Sequence, residues 1–71
     1  MIFMLPNPVT NYLSVTSTQI INIITIYNVI GQAMITENTN KKTTLINVAN
    51  LPMGIYYLMI NSKEVRKFVK M

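Results

Sequence analysis

The chain has 71 residues, no cysteine and no histidine, and six basic against two acidic residues, for a formal net charge of +4. This length allows one small domain, and the lack of cysteine and histidine rules out disulfides and argues against a zinc or haem site. Because only 11% of the residues are charged, the positive balance is a mild bias toward phosphate or acidic surfaces. Abundant Ile, Val and Thr, with asparagines for turns, predict a single all-β domain over residues 1–71 that needs no metal or other cofactor.

Neither a membrane span nor a leader is indicated. The longest apolar stretch, residues 20–30, is interrupted by Asn22, Thr25 and Asn28 and is too short to cross a bilayer, so no transmembrane segment is expected. The first five residues have no basic region and run directly into Pro6, unlike a signal peptide. If the protein is exported, we therefore expect its N-terminal signal peptide to lie outside the chain shown.

Short alternating runs separated by turn signals predict strands throughout, and no window keeps a helical period. Pro6-Asn7-Pro8 predicts a stiff, extended corner. Gly31 predicts a turn with positive φ, the polar run NTNKK (38–42) a loop, and Leu51-Pro52-Met53-Gly54 a type I turn, with another tight turn near residues 61–63. The predicted strands are Ile2–Leu5, Tyr12–Thr16, Asn22–Asn28, Gln32–Glu37, Thr44–Val48, Ile55–Ile60 and Val65–Val69. Seven short antiparallel strands predict a small immunoglobulin-like (Greek-key) β-sandwich.

Alternation also predicts which side chains are buried. Leu13 and Val15 share one face of their strand, and Ile46 and Val48 form the inward pair of another. In residues 20–30 both faces are apolar, so the sequence leaves the buried face open.

Tyr56 follows the Leu-Pro-x-Gly corner by two residues. In sandwiches of this kind a tyrosine at such a corner donates its hydroxyl to backbone a few residues upstream. We therefore predict a bond from Tyr56 to a carbonyl within residues 49–53, with Leu58 and Ile60 following it into the core. The alternative is a core tyrosine whose hydroxyl faces water.

The sequence offers little catalytic chemistry. Its two carboxylates, Glu37 and Glu64, fall in predicted turn or edge regions, whereas acid–base catalysis needs a pair whose environments separate their pKa values. The serines have no imidazole to activate them, and the two glycines are too far apart for a phosphate loop. We expect no enzymatic activity.

The basic segment KEVRKFVK (63–70) combines four cations with Phe68, a composition compatible with nucleic-acid contact. Alternation places Arg66, Phe68 and Lys70 on one face and Val65, Lys67 and Val69 on the other. This pattern is more typical of an edge strand whose lysines discourage aggregation, so no nucleic-acid partner is expected.

Four motifs carry a more specific signal: PNPVTNYLSV (6–15), ITIYNVIGQ (24–32), LPMGIYYLMI (51–60) and RKFVK (66–70). In this order and spacing they resemble the type A C-terminal sorting domain of the type IX (Por) secretion system, over essentially the whole chain. The matching motif residues are Pro6, Asn7, Pro8, Tyr27, Asn28, Gly31, Gln32, Leu51, Pro52, Gly54, Tyr56, Arg66, Lys67, Val69 and Lys70.

The resemblance implies a transport role and a seven-stranded immunoglobulin-like fold. Such domains end larger secreted proteins that reach the periplasm by a signal peptide. An outer-membrane translocon then recognises the domain, a sortase-like protease removes it, and many cargoes become attached to the cell surface. The corner and turn residues have adequate structural explanations, whereas Arg66, Lys67, Val69 and Lys70 are the candidates for translocon recognition. The rival interpretation is a free-standing binding module for nucleic acid or a surface polysaccharide.

The chain also departs from the family pattern. Met71 extends past the usual terminal lysine, and Met1 lies inside the first predicted strand. We expect the cargo, the signal peptide and the cleavage site to lie outside the chain shown.

Overall fold

Alternating β-branched and polar residues form five strands and no helix in the computed structural model, which describes residues 1–71. The strands are β1 (Ile2–Leu5), β2 (Tyr12–Tyr27), β3 (Ala33–Asn47), β4 (Gly54–Ile60) and β5 (Glu64–Lys70). All of their pairings are antiparallel. The all-β prediction is therefore confirmed.

The long strand β2 organises the sheet, whose order is β1-β2-β4-β5 with β3 also paired to β2. The first half of β2 pairs with β1 and with the end of β3, while its second half pairs with the start of β3 and with β4. Register shifts between Thr16 and Ile23 separate the two halves. Because such irregularities bend a strand and increase its twist, the sheet curls.

The predicted count of seven strands is wrong, and the immunoglobulin-like sandwich is not confirmed. Two pairs of predicted strands are each continuous: Tyr12–Thr16 with Asn22–Asn28 in β2, and Gln32–Glu37 with Thr44–Val48 in β3. The predicted NTNKK loop lies within β3.

The long hairpin of β2 and β3 explains this error. Asn38 pairs with Ile23 and Lys41 pairs with Ile21, so the polar run continues the ladder instead of leaving it. Its side chains are mostly exposed, and a polar residue with a paired backbone does not end a strand. Sequence patterns report the loss of alternation at these positions, but they do not report whether a partner strand continues.

Both halves of β2 contribute to one hydrophobic cluster. Leu13 and Val15 lie in it beside Ile24 and Ile26, so the curled sheet encloses its own core. The buried face of residues 20–30, which the sequence left open, is the one carrying Ile24 and Ile26. The cluster comprises Ile2, Val9, Leu13, Val15, Ile21, Ile24, Ile26, Ile46, Val48, Leu51, Tyr56, Leu58, Ile60 and Phe68.

The other burial predictions are confirmed, since Leu13, Val15, Ile46 and Val48 are all fully buried. The hydrogen-bonded turn before β4 lies earlier in the chain than the type I turn predicted for residues 51–54. A hydrogen bond from the Leu51 amide to the Val48 carbonyl, 3.0 Å long, closes a turn over residues 48–51, and none closes residues 51–54.

Candidate functional site

The opening proline motif lies against the last strand. The Asn7 Oδ1 atom accepts a hydrogen bond from the Val69 amide (3.0 Å). The Val9 amide donates to the Val69 carbonyl (2.9 Å), and the Met71 amide donates to the Val9 carbonyl (2.8 Å). Residues 7–9 thus extend the sheet as a short parallel neighbour of β5, next to Lys70. The first and last sequence motifs form one structural unit.

Pro6 and Pro8 flank this contact and are both exposed. The peptide bonds that precede them are cis. Between them and β2, Val9 is completely buried. The corner therefore directs Val9 into the core and aligns Asn7 with the edge of β5.

The central motif forms the turn between β2 and β3, and Asn28 organises it. Its Oδ1 atom accepts hydrogen bonds from the amides of Ile30 (3.1 Å) and Gln32 (2.9 Å), and its Nδ2 atom donates to the Gln32 Oε1 atom (2.9 Å). Gly31 has φ of +84°, a conformation that glycine adopts without strain, as predicted. The polar residues of this motif thus have a sufficient structural role in the turn.

At the second corner the predicted tyrosine bond is confirmed. The Tyr56 hydroxyl donates to the Pro52 carbonyl (2.6 Å), and the Tyr56 ring stacks on Phe68 with 5.7 Å between centroids. Leu51 is buried, and Gly54 has φ of +154°. Leu58 and Ile60 follow Tyr56 into the core, also as predicted.

Strand β5 distributes its side chains as its alternation predicts. Phe68 is fully buried, and Lys70 on the same side is only 7% exposed, with its ammonium donating to the Met71 backbone oxygen (3.0 Å). Arg66, also on that side, lies at the exposed margin. Lys67 and Val69 project to the opposite face. The four candidate recognition residues are therefore divided between two faces of the sheet.

Arg66 has contacts within the domain. Its Nη1 atom donates to the Val65 carbonyl (2.9 Å), and its Nη2 atom lies 3.7 Å from the Glu64 carboxylate. An exposed pair of this kind contributes little to stability. The contact with the carbonyl nevertheless occupies an edge acceptor of β5 that a neighbouring strand would otherwise use.

Sequence reasoning missed one well-connected polar side chain, Asn61 in the turn between β4 and β5, which makes three hydrogen bonds. Its Oδ1 atom accepts from the amides of Asn22 (2.7 Å) and Ile23 (3.2 Å), and its Nδ2 atom donates to the Ile20 carbonyl (2.9 Å). These groups belong to the irregular segment of β2, so Asn61 fastens the turn to the bend of the sheet. An asparagine in a predicted turn was the only available signal.

The two carboxylates lie on different strands. Glu37 pairs with Ile24, Ile24 with Ile60, and Ile60 with Glu64. Two strands thus separate the acids, about 14 Å along the sheet at the usual strand spacing. The structure has no cavity, no group of three potential metal ligands, and no helix that could span a membrane.

These features define a small all-β domain. Its sequence motifs form the turns, the Tyr56 hydroxyl bond at the corner before β4, and the contact between residues 7–9 and β5. The model of the secretion system C-terminal sorting domain family matches residues 3–71, and the chain belongs to that family. The resemblance to type IX sorting domains is thereby confirmed, and this family of signals is not an enzyme class. A comparison with curated proteins finds no match.

Proposed function

We propose that this domain is the export address of a larger secreted protein, recognised as a folded unit by the type IX translocon at the outer membrane. The parent protein reaches the periplasm, crosses the outer membrane, and loses the domain to a sortase-like protease. Its cargo is then released or attached to the cell surface.

The observation that carries this proposal is the family match, which extends over residues 3–71 and so includes both the opening motif and the basic strand. The structure adds a physical reason for treating them together. Because Asn7 and Val9 bind the backbone of Val69 and Met71, a receptor would meet the C-terminal strand and the opening motif as one hydrogen-bonded surface.

Export of a reporter tests the proposal. Residues 1–71 are fused behind a signal peptide and a fluorescent cargo in a bacterium that has the type IX system, and the cargo is measured in periplasm and medium. We expect cargo outside the cell with the domain, and periplasmic cargo without it or in a strain lacking the translocon. Periplasmic retention of the complete fusion would overturn the proposal.

Cleavage is tested on the same exported material. The intact mass of the secreted cargo should be lower than that of the fusion by at least the 8.1 kDa of this domain. An exported fusion of full mass would contradict removal of the domain while leaving the export function intact.

The role of Arg66, Lys67, Val69 and Lys70 in translocon recognition remains part of the proposal. Deleting residues 66–71 would not test it cleanly, because the deletion also removes Phe68 from the core. Substitution of exposed groups is the better test, and Lys67 is the most informative of them.

A further inference from the structure

One face of the sheet brings together exposed and half-buried side chains from three of the four motifs. Tyr27 of β2 is the cross-strand neighbour of Tyr57 in β4, and Tyr57 is the neighbour of Lys67 in β5. Ile55 pairs with Val69 on the same face, next to this row. We call the following set the tyrosine face: Tyr27, Ile55, Tyr57, Val65, Lys67 and Val69.

The tyrosine face has no part in the core. The alternating residues Tyr56, Leu58 and Phe68 point to the opposite side and are buried there. On the tyrosine face, Ile55, Tyr57 and Val65 are 43%, 38% and 45% exposed. Apolar and aromatic side chains joined across three strands mark an interaction surface, and tyrosine is enriched at the centres of protein interfaces.

The charges indicate what kind of partner fits. Lys67 is the one charged member of the tyrosine face, and its ammonium has no hydrogen bond or ion pair within the domain. Glu37 and Glu64 are the neighbours of the buried residues Ile24 and Ile60, so both carboxylates project from the other face. An unpaired ammonium within an apolar surface is complementary to a carboxylate within another.

The edge of β5 is poorly suited to the alternative of strand addition. Residues 7–9 cover its C-terminal end, and the Arg66 side chain binds the Val65 carbonyl near its start. Strand addition requires a row of free backbone groups. We therefore expect β5 to bind a partner through its side chains on the tyrosine face and not through the backbone of its edge.

We propose that the tyrosine face is the docking surface for a protein of the export pathway, and that this partner presents an apolar patch around an acidic side chain that pairs with Lys67. This inference rests on the proposed function. It assigns Tyr57 a role in binding. Of the side chains of β5, it assigns partner contact only to those on the same face as Lys67.

The test uses the reporter fusion with substitutions on the tyrosine face and at two exposed positions outside it. Tyr57→Thr and Lys67→Glu alter the tyrosine face, and Lys67→Arg preserves its charge. Leu45→Ser removes an exposed apolar side chain from the first half of the sheet, and Lys63→Glu makes the same charge change in the turn before β5. Thermal unfolding of each purified domain shows whether it folds, and the lysine variants keep the test valid where Tyr57→Thr is unstable.

We expect Tyr57→Thr and Lys67→Glu to reduce export about tenfold or more, equivalent to about 1.4 kcal/mol of lost binding. Lys67→Arg, Leu45→Ser and Lys63→Glu should be exported like the parent fusion. Normal export of folded Tyr57→Thr and Lys67→Glu would overturn the docking surface but leave the export function standing. Failure of the parent fusion itself would overturn the export function and this inference with it.

A lipid surface is the competing occupant. Purified domains are mixed with vesicles containing phosphatidylglycerol and sedimented, at low and at physiological salt. We expect no binding at physiological salt. Binding that Lys67→Glu and Lys63→Glu weaken equally, with an equal loss of export, would overturn the protein partner in favour of a general attraction to anionic lipid.

Discussion

Asn61 provides the most direct test of how the sheet keeps its bend. Its side chain makes three hydrogen bonds to Asn22, Ile23 and Ile20, and its backbone amide donates to the Ile23 carbonyl (2.9 Å). The residue also has φ of +53°. Substitution therefore changes two separable quantities, the side-chain bonds and the cost of the left-handed backbone.

The size of each effect follows from these contacts. A hydrogen bond contributes about 0.5–1.5 kcal/mol net, and water can replace some of these exposed ones, so Asn61→Gly should lose about 2 kcal/mol. Asn61→Ala should lose about 1 kcal/mol more, because a Cβ atom is disfavoured at positive φ. Asn61→Asp keeps the acceptor but loses the donor to Ile20, so its stability should lie between those of the parent domain and Asn61→Gly.

Urea and thermal unfolding followed by far-ultraviolet circular dichroism measure these differences. For a domain of this size, 1 kcal/mol corresponds to about 4–8 °C in Tm, so Asn61→Gly should lower Tm by about 8–16 °C. Ser62→Gly is the matched control, because Ser62 also has positive φ (+56°) and makes no side-chain bond to β2. An Asn61→Gly domain within 0.5 kcal/mol of the parent would refute the reasoning.

Three further substitutions test other contacts. Tyr56→Phe should lower stability by about 1–2 kcal/mol, because the part-buried hydrogen bond to the Pro52 carbonyl is lost; an unchanged urea midpoint would contradict the predicted role of the Tyr56 hydroxyl. Asn7→Ala should speed amide hydrogen exchange at Val69 more than at Phe68, which NMR measures; equal protection with and without the side chain would show that Asn7 does not hold the edge. Lys70→Met should keep the domain stable and Lys70→Ala should cost about 1–2 kcal/mol, since Lys70 is only 7% exposed and methionine replaces most of the packing of its aliphatic stem; equal stability of the two variants would argue against that packing.

The features that depend on short stretches of sequence were predicted correctly. The hydroxyl bond of Tyr56, the positive φ of Gly31 and the burial of Leu13 and Val15 all depend on a few neighbouring residues, and all are confirmed. The strand count failed because it depends on whether distant segments stay paired. Nothing in NTNKK itself shows that its backbone pairs with residues 21–23 of β2.

The candidate site was predictable to a similar extent. The motifs identified the family, and alternation identified the two faces of β5. The contacts of Asn7 with Val69 and of Asn61 with residues 20–23 were not predictable, because each joins positions far apart in the chain through one side chain. Burial of Lys70 was hidden for a related reason, since a long stem can pack while its ammonium finds a polar neighbour.

The contact between residues 7–9 and the end of β5 also fixes when the domain can form during synthesis. Phe68 completes the core, and Val69 and Met71 bind a segment 60 or more residues earlier in the chain. Neither contact can form until the last strand has left the ribosome. A chain that terminates before β5 lacks the partner of Tyr56 and leaves β4 with an open edge. A cargo would therefore carry a folded sorting domain only after β5 had been synthesised.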